Sequence, residues 1–383
     1  MRILALVTDA FGSSGGMAKF NRDLLNALCA YPGCDDVVAI PRLMSESGGL
    51  LPPKLSYITS GLGSKWQFVL ATARAASKRP AFRLVFCGHL NLVPIGLMAA
   101  KLARAPLVTV LHGVEAWQPA RSHLTRYLVR FAGPFIAVSE TTRRQFLDWA
   151  KVRNAGSHIL PNCIDGSLFG PGQHNPRLLD RYGLRGRKVL LTLGRLSADE
   201  RYKGVDEVLE TLPELVEKVP DLVYLIVGDG TDRARLENKM RQNGLAAHVV
   251  FAGRVPEEEK ADHYRLADAF VMAGWGEGFG IVYLEALACG IPVVASKLDA
   301  SREAVRNGEL GILVDPKNPV ELRDGILAAL QKPKGTVPAG LAYFSYTNFQ
   351  KRCHKILDIF CQPAGYEPVP ASVDDSFKLR RNA

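Results

Sequence analysis

Apolar residues in this chain arrive in short β-branched or aliphatic runs, each followed by a longer stretch of helical period, and the alternation repeats along most of the length. In the N-terminal half the runs predict strands at Arg2–Val7, Val37–Ile40, Leu55–Ile58, Leu84–Phe86, Leu107–Leu111 and Pro134–Val138, with helices over 16–31, 64–79, 92–104, 121–132 and 140–150. The pattern restarts at Lys188-Val-Leu-Leu-Thr-Leu-Gly194 and predicts further strands over 222–227, 249–255, 269–273, 291–295 and 311–314, with helices over 205–219, 232–243 and 319–331. Strand–helix alternation of this kind builds parallel sheets wound on both faces, so the expected fold class is α/β with two Rossmann-like, doubly wound sheets. Residues 349, 353, 356, 357 and 360 then mark one apolar face of a last helix.

Ligands of wound parallel sheets bind beyond the carboxyl ends of the strands, so the loops there are where chemistry is expected. After the first strand, Gly12-Ser-Ser-Gly-Gly-Met-Ala-Lys-Phe20 is a glycine-rich turn opening a helix, and Gly15 and Gly16 can offer backbone N–H groups to a phosphate or sugar. The turn lacks a full G-x-G-x-x-G pattern, and tight strand–helix packing is its structural alternative. Thr109-Val-Leu-His-Gly-Val-Glu115 sets His112 at the end of the fifth strand. Ser139 follows the next strand, where capping a helix is sufficient reason for a serine and contact with an acceptor is the functional alternative. Arg195 follows a strand directly and Lys203-Gly204 opens a helix, so two cations are expected to converge, unless both are simply solvated.

The richest stretch is Gly274-Trp-Gly-Glu-Gly-Phe-Gly-Ile-Val-Tyr-Leu-Glu-Ala-Leu-Ala-Cys-Gly-Ile-Pro-Val-Val-Ala-Ser296, read as glycine-rich turn, helix and strand. The helix starting near Gly280 carries a partial charge of roughly +0.5 at its N-terminus, so an anion is expected in the turn. Glu277 lies on the loop and Glu285 in the helix, placed to hold two ends of one extended ligand. An ordinary crossover with two solvated glutamates is the structural alternative.

Two glutamates separated by seven residues behind such a loop resemble the signature of the retaining GT-B glycosyltransferases of family 4. The Gly15-Gly16 pair, the strand-end His112-Gly113, Gly194-Arg195-Leu196 and Lys203-Gly204 are similar to that family's motifs in the same order. Ile159-Leu-Pro-Asn-Cys-Ile-Asp165 is similar to its domain link, with Cys163 where a glycine is usual. The resemblance implies two domains facing a cleft, an acceptor domain over 1–165 and a nucleotide-sugar domain over 166–345. A helix over 346–362 would cross back to the first, and 363–383 would form a loose tail. It also implies that Arg195 and Lys203 bind the donor diphosphate, Glu277 the donor sugar and Glu285 the ribose. Gly15, Gly16, Gly278, Phe279 and Gly280 would complete the donor contacts, Arg254 and Val255 would meet the base, His112 would lie beside the reacting sugar and Ser139 would face the acceptor.

Glycosyl transfer needs a leaving diphosphate to be neutralised. No Asp-x-Asp metal-binding element occurs in the chain, so positive charge is expected from Arg195, Lys203 and the helix at Gly280, with no cofactor and no metal. The implied activity is retaining transfer from a GDP- or UDP-sugar to a saccharide or lipid-linked acceptor in polysaccharide or envelope glycan synthesis. A sugar-nucleotide epimerase of the same architecture and an inactive sugar-nucleotide-binding subunit are the alternatives.

Composition adds three constraints. At 383 residues and 47% hydrophobic the chain can fill two cores. The net charge of +10 is unevenly spread: between Gly61 and Arg153 fourteen Lys or Arg face three acids, a local +11, and the rest of the chain is nearly neutral; an anionic membrane surface is the expected partner, plain solvation and nucleic acid being the alternatives, the latter without any recognisable module. Seven cysteines without C-x-x-C pairing suggest neither a disulfide framework nor a zinc site, and no apolar run is long enough for a signal core or a membrane span. The expectation is a cytoplasmic protein, peripheral on the inner face of the membrane.

Overall fold

The computed structural model describes residues 1–13, 15–45, 49–152 and 156–361. The tail expected over 363–383, and Gln362 before it, lie outside them. Seven strands form the first sheet: β1 (Arg2–Val7), β2 (Asp36–Pro41), β3 (Leu55–Tyr57), β4 (Leu84–Cys87), β5 (Leu107–Leu111), β6 (Phe135–Ala137) and β7 (Ser157–Ile159). Their spatial order is 3-2-1-4-5-6-7 and every pairing is parallel. Six strands form the second: β8 (Lys188–Leu193), β9 (Leu222–Val227), β10 (Val249–Gly253), β11 (Ala269–Met272), β12 (Val293–Ser296) and β13 (Ile312–Val314), in the order 10-9-8-11-12-13, again all parallel.

Both sheets change direction at their first strand, β1 and β8, which is where a wound sheet opens a crevice beyond its carboxyl edge. The inner strands are largely apolar because helices cover both faces; β9, for instance, is buried at all six positions. The expected α/β class with two wound sheets is what the chain adopts. Two details differ. β7 pairs in register with β6 yet was not expected, since Ser157-His158-Ile159 is a three-residue edge strand whose side chains are only half-buried. The helix expected over 121–132 is shorter, running His123–Leu128 and tightening into a 3₁₀ turn over Val129–Phe131.

The last helix, Tyr346–Cys361, leaves the second sheet and packs on the first helix of the chain, Gly16–Cys29. Phe349 meets Phe20 edge-on, His354 Nε2 donates to the Ala27 carbonyl at 2.9 Å, and the Tyr31 hydroxyl donates to Asp358 at 2.7 Å. One hydrophobic cluster therefore runs from β1 through Leu160, Cys163 and Phe344 into the second sheet. This shared packing holds the two carboxyl edges face to face.

Candidate active site

The Gly274–Gly280 loop leaves β11 and crosses the space between the sheets before the Ile281–Ala288 helix begins. At its far side it meets the loop after β5: a methyl group added at Gly113 would stand 2.7 Å from Gly278 Cα, so this crossing requires glycine on both strands of chain. Ser139 joins the same point. Its hydroxyl accepts the Thr142 N–H at 3.0 Å as a helix cap and donates to the Gly278 carbonyl at 2.9 Å. Ser139 is thus the helix cap its position suggested, and also a bridge between the two halves.

Glu277, next along the loop, is fixed through its main chain. Its N–H donates to Asp299 Oδ2 at 2.9 Å, and its carbonyl accepts from Ala300 N–H at 3.1 Å. Burial raises the Glu277 carboxyl above the ordinary glutamate range, an effect that Lys203 partly offsets. Asp299 is itself fully buried, accepts the Ser301 N–H at 3.0 Å, and is pushed up to about 6 by burial.

Arg195 and Lys203 do converge, and they do so on a residue that sequence reasoning passed over. Glu200 accepts from both Arg195 and Lys203, the latter at 2.9 Å. The loop that carries them packs on the glutamate loop, with Trp275 N–H donating to the Tyr202 carbonyl at 2.9 Å. Glu285 lies deeper, accepting the Tyr264 hydroxyl at 2.7 Å, its carboxyl raised by burial and steadied by Lys260 and Tyr264.

From the first half, Gly15 caps the Gly16–Cys29 helix with φ of 114°, and a methyl group added at Gly16 would touch Ile281 at 3.7 Å. The N-termini of these two helices are thus neighbours, and a helix N-terminus suits an anion. His112 ends β5 with Nε2 bonded at 2.8 Å to the Gly88 carbonyl. A carbonyl only accepts, so Nε2 carries the proton and Nδ1 keeps its lone pair. Burial lowers the His112 pKa, partly against the pull of Glu115, so the ring is neutral at pH 7.

The remaining expected residues divide. Phe279 is buried and packs edge-on against Phe344, so only its backbone is available to a ligand. Gly278 and Gly280 bound the loop as described. Val255 follows β10 and, partly buried, packs against the hydrophobic cluster shared by the two sheets. Arg254 is exposed beside it, and among the described residues no hydrogen bond or ion pair ties it to the cleft. Sequence reasoning missed Glu200, Tyr264, Asp299 and Glu303. The last accepts from Glu140 N–H at 2.7 Å, Thr141 N–H at 2.9 Å and the Thr141 hydroxyl at 2.7 Å, joining the second half of the chain to the first. The strand-end rule nominates loops, and it points to none of these partners by type.

Comparison with known proteins bears on this geometry. The model of the glycosyl transferases group 1 matches residues 179–339, and that of glycosyltransferase family 4 matches residues 14–168. The chain is 33% identical over 349 residues to the phosphatidyl-myo-inositol mannosyltransferase of Mycolicibacterium smegmatis, covering 86% of this chain and 84% of that one. It is 34% identical over 274 residues to the GDP-mannose-dependent alpha-(1-6)-phosphatidylinositol monomannoside mannosyltransferase of the same organism, covering 68% and 71%. Among solved structures, Anabaena Alr3699/HepE in complex with UDP and glucose superposes with a TM-score of 0.73 at 22% identity over 94% of this chain and all of that one, a likeness of fold.

Proposed function

Since the chain belongs to the group 1, family 4 glycosyltransferases, we propose that it transfers a mannosyl residue from GDP-mannose to a phosphatidylinositol-type lipid, with retention and without a metal. The observation that carries the donor part is the convergence of Arg195 and Lys203 on one spot beside the Glu277 loop, where Lys203 offsets the burial of the Glu277 carboxyl. The sugar and the acceptor class rest on the names of the relatives, two of which act on phosphatidylinositol or its mannoside.

In this reading the diphosphate lies against Arg195, Lys203 and the N-terminus of the Ile281–Ala288 helix, with Glu285 on the ribose. Glu277 lies by the sugar and stabilises positive charge developing at the anomeric carbon. The bond from that carbon to the β-phosphate oxygen breaks, its electron pair leaving with the phosphate. The acceptor oxygen bonds to the carbon from the same face and its proton passes to the departing phosphate oxygen. His112 Nδ1 accepts from a sugar hydroxyl, which fixes the ring of the donor. The protein supplies the cations for the leaving group itself, and this is the ground for metal independence.

A lipid acceptor requires a surface that meets the bilayer. No helix of the described residues is long and apolar enough to cross a membrane. The basic N-terminal half, however, exposes Trp66 at 78%, and Tyr127 and Phe131 at 60% each, beside Lys65, Arg126 and Arg130. Aromatic side chains interleaved with cations suit an anionic headgroup layer, each cation contributing about 1 kcal/mol.

The test is transfer of labelled mannose from GDP-mannose to vesicles containing phosphatidylinositol, with and without EDTA, with UDP-glucose as competing donor and the anomeric configuration of the product read by NMR. Labelled α-mannosyl lipid formed in EDTA is the expected result. Transfer from UDP-glucose alone, a β product, or loss of activity in EDTA would each overturn the corresponding part. Arg195→Ala and Lys203→Ala should each lower kcat by about a hundredfold or more.

A further inference from the structure

The two cations of the cleft are held by an acid that has no part in the proposed chemistry. After β8 the chain runs through the short Ala198–Lys203 turn, in which Glu200 departs from helical geometry at φ −120°, ψ 27°. The side chain lies between the guanidinium and the ammonium. Arg195 Nη2 bonds Oε1, while Arg195 Nε at 3.2 Å and Lys203 Nζ at 2.9 Å both reach Oε2. The exposures are unequal: the Arg195 side chain is 69% exposed, whereas Glu200 at 15% and Lys203 at 19% are largely enclosed. The third cation of the turn, Arg201, is turned away onto Asp232 at 2.9 Å.

A guanidinium fork and an ammonium closing on two oxygens of one anion is how a phosphate is held. The same pair cannot grip Glu200 and a diphosphate at full strength together, because the oxygens compete for the same N–H donors. Glu200 also stands near enough to Glu277 to repel it, while Lys203 attracts it. Burial alone would raise the Glu200 carboxyl, yet Arg195 and Lys203 hold it below the ordinary range, so it is ionised at neutral pH.

Resting on the donor reading above, we propose that Glu200 is a built-in stand-in for the diphosphate. It keeps Arg195 and Lys203 aimed into the cleft of the free enzyme, gives them up as the donor arrives, and reclaims them to expel the nucleoside diphosphate after transfer. Glu200 is then a positioning residue that sets the affinity for product.

The experiment is calorimetric titration of the full chain with GDP, repeated with inorganic pyrophosphate, for the wild type, Glu200→Gln, Glu200→Asp, Glu200→Ala and Lys203→Ala, alongside steady-state kinetics. Glu200→Gln keeps the shape and removes the charge, so GDP should bind roughly tenfold more tightly. The KM for donor should fall, kcat should fall as release slows, and GDP should inhibit more strongly. Glu200→Asp, which keeps the charge, should restore values to within about twofold of the wild type, and Glu200→Ala should change GDP affinity in the same direction as Glu200→Gln. If the wild type binds GDP, Lys203→Ala weakens it, and Glu200→Gln binds no tighter, this inference is overturned and the donor reading stands. If the wild type binds neither GDP nor pyrophosphate, both fall together.

Discussion

Glu303 joins the two halves of the cleft, and its removal should open it. The carboxylate sits at the N-terminus of the Glu140–Ala150 helix and takes three donors from it, two main-chain N–H groups and the Thr141 hydroxyl, at 2.7 to 2.9 Å. A hydrogen bond to a charged group contributes about 1.5–3 kcal/mol net, and the helix N-terminus adds a few tenths to 1 kcal/mol. Water replaces part of this once the halves separate, so the three together should contribute about 3 kcal/mol to closure, roughly a hundredfold in the ratio of closed to open forms. The helix itself keeps its own cap, because Ser139 Oγ still accepts from Thr142 N–H at 3.0 Å. Glu303→Ala should therefore leave the unfolding temperature and nucleotide affinity nearly unchanged, raise the radius of gyration measured by small-angle X-ray scattering, and lower kcat/KM for transfer by ten- to a hundredfold. Thr141→Val, which removes one of the three donors, should cost about 1 kcal/mol, with a correspondingly smaller effect. A Glu303→Ala protein with unchanged dimensions and unchanged kcat/KM would refute the argument that this carboxylate holds the cleft closed.

Three other outcomes are expected. Tyr264→Phe leaves the buried Glu285 carboxylate without its 2.7 Å partner, so thermal unfolding at pH 7 should reveal a loss of about 1–3 kcal/mol. Asp299 titrates near 6 in the folded chain against an ordinary value of 3.8, so the folded state binds its proton more readily. Its contribution therefore becomes more favourable as pH falls from about 6 toward 4, by up to about 3 kcal/mol, and is absent above pH 7. Asp299→Asn should lose this gain, so denaturant unfolding at pH 4.5 and 7.5 should give a wild-type advantage that is larger at the lower pH. Gly113→Ala drives a methyl group into the backbone at Gly278 and should lower the transfer rate while leaving GDP affinity intact, as read by kinetics and titration of the same preparation.

How much of this was legible in the sequence follows from the range of each interaction. Burial on both faces forces apolar runs on a strand and helical period on the segment after it, and both patterns lie within a dozen residues, so twelve of the thirteen strands among the described residues announced themselves. β7 did not, because an edge strand of three half-buried residues has no apolar run to display. The glycine turns at Gly15 and Gly274–Gly280 were equally legible, since a glycine-rich turn between a strand and a helix is a local pattern.

Which side chains serve the loops was a different matter. Asp299 pins the main chain of Glu277 from 22 residues away, Tyr264 reaches Glu285 across 21, and Glu303 reaches Thr141 across 162. Even Glu200, five residues from Arg195, gave no signal, because an acid among cations in a sequence reads as a solvated ion pair until the fold encloses it. The sequence by itself determined the two wound sheets and the loops at their carboxyl edges, because periodicity and turn chemistry are written locally. Only the tertiary structure decided which acids stand behind the glutamate loop, which one occupies the cations and which one joins the halves, because those contacts depend on two sheets being brought edge to edge.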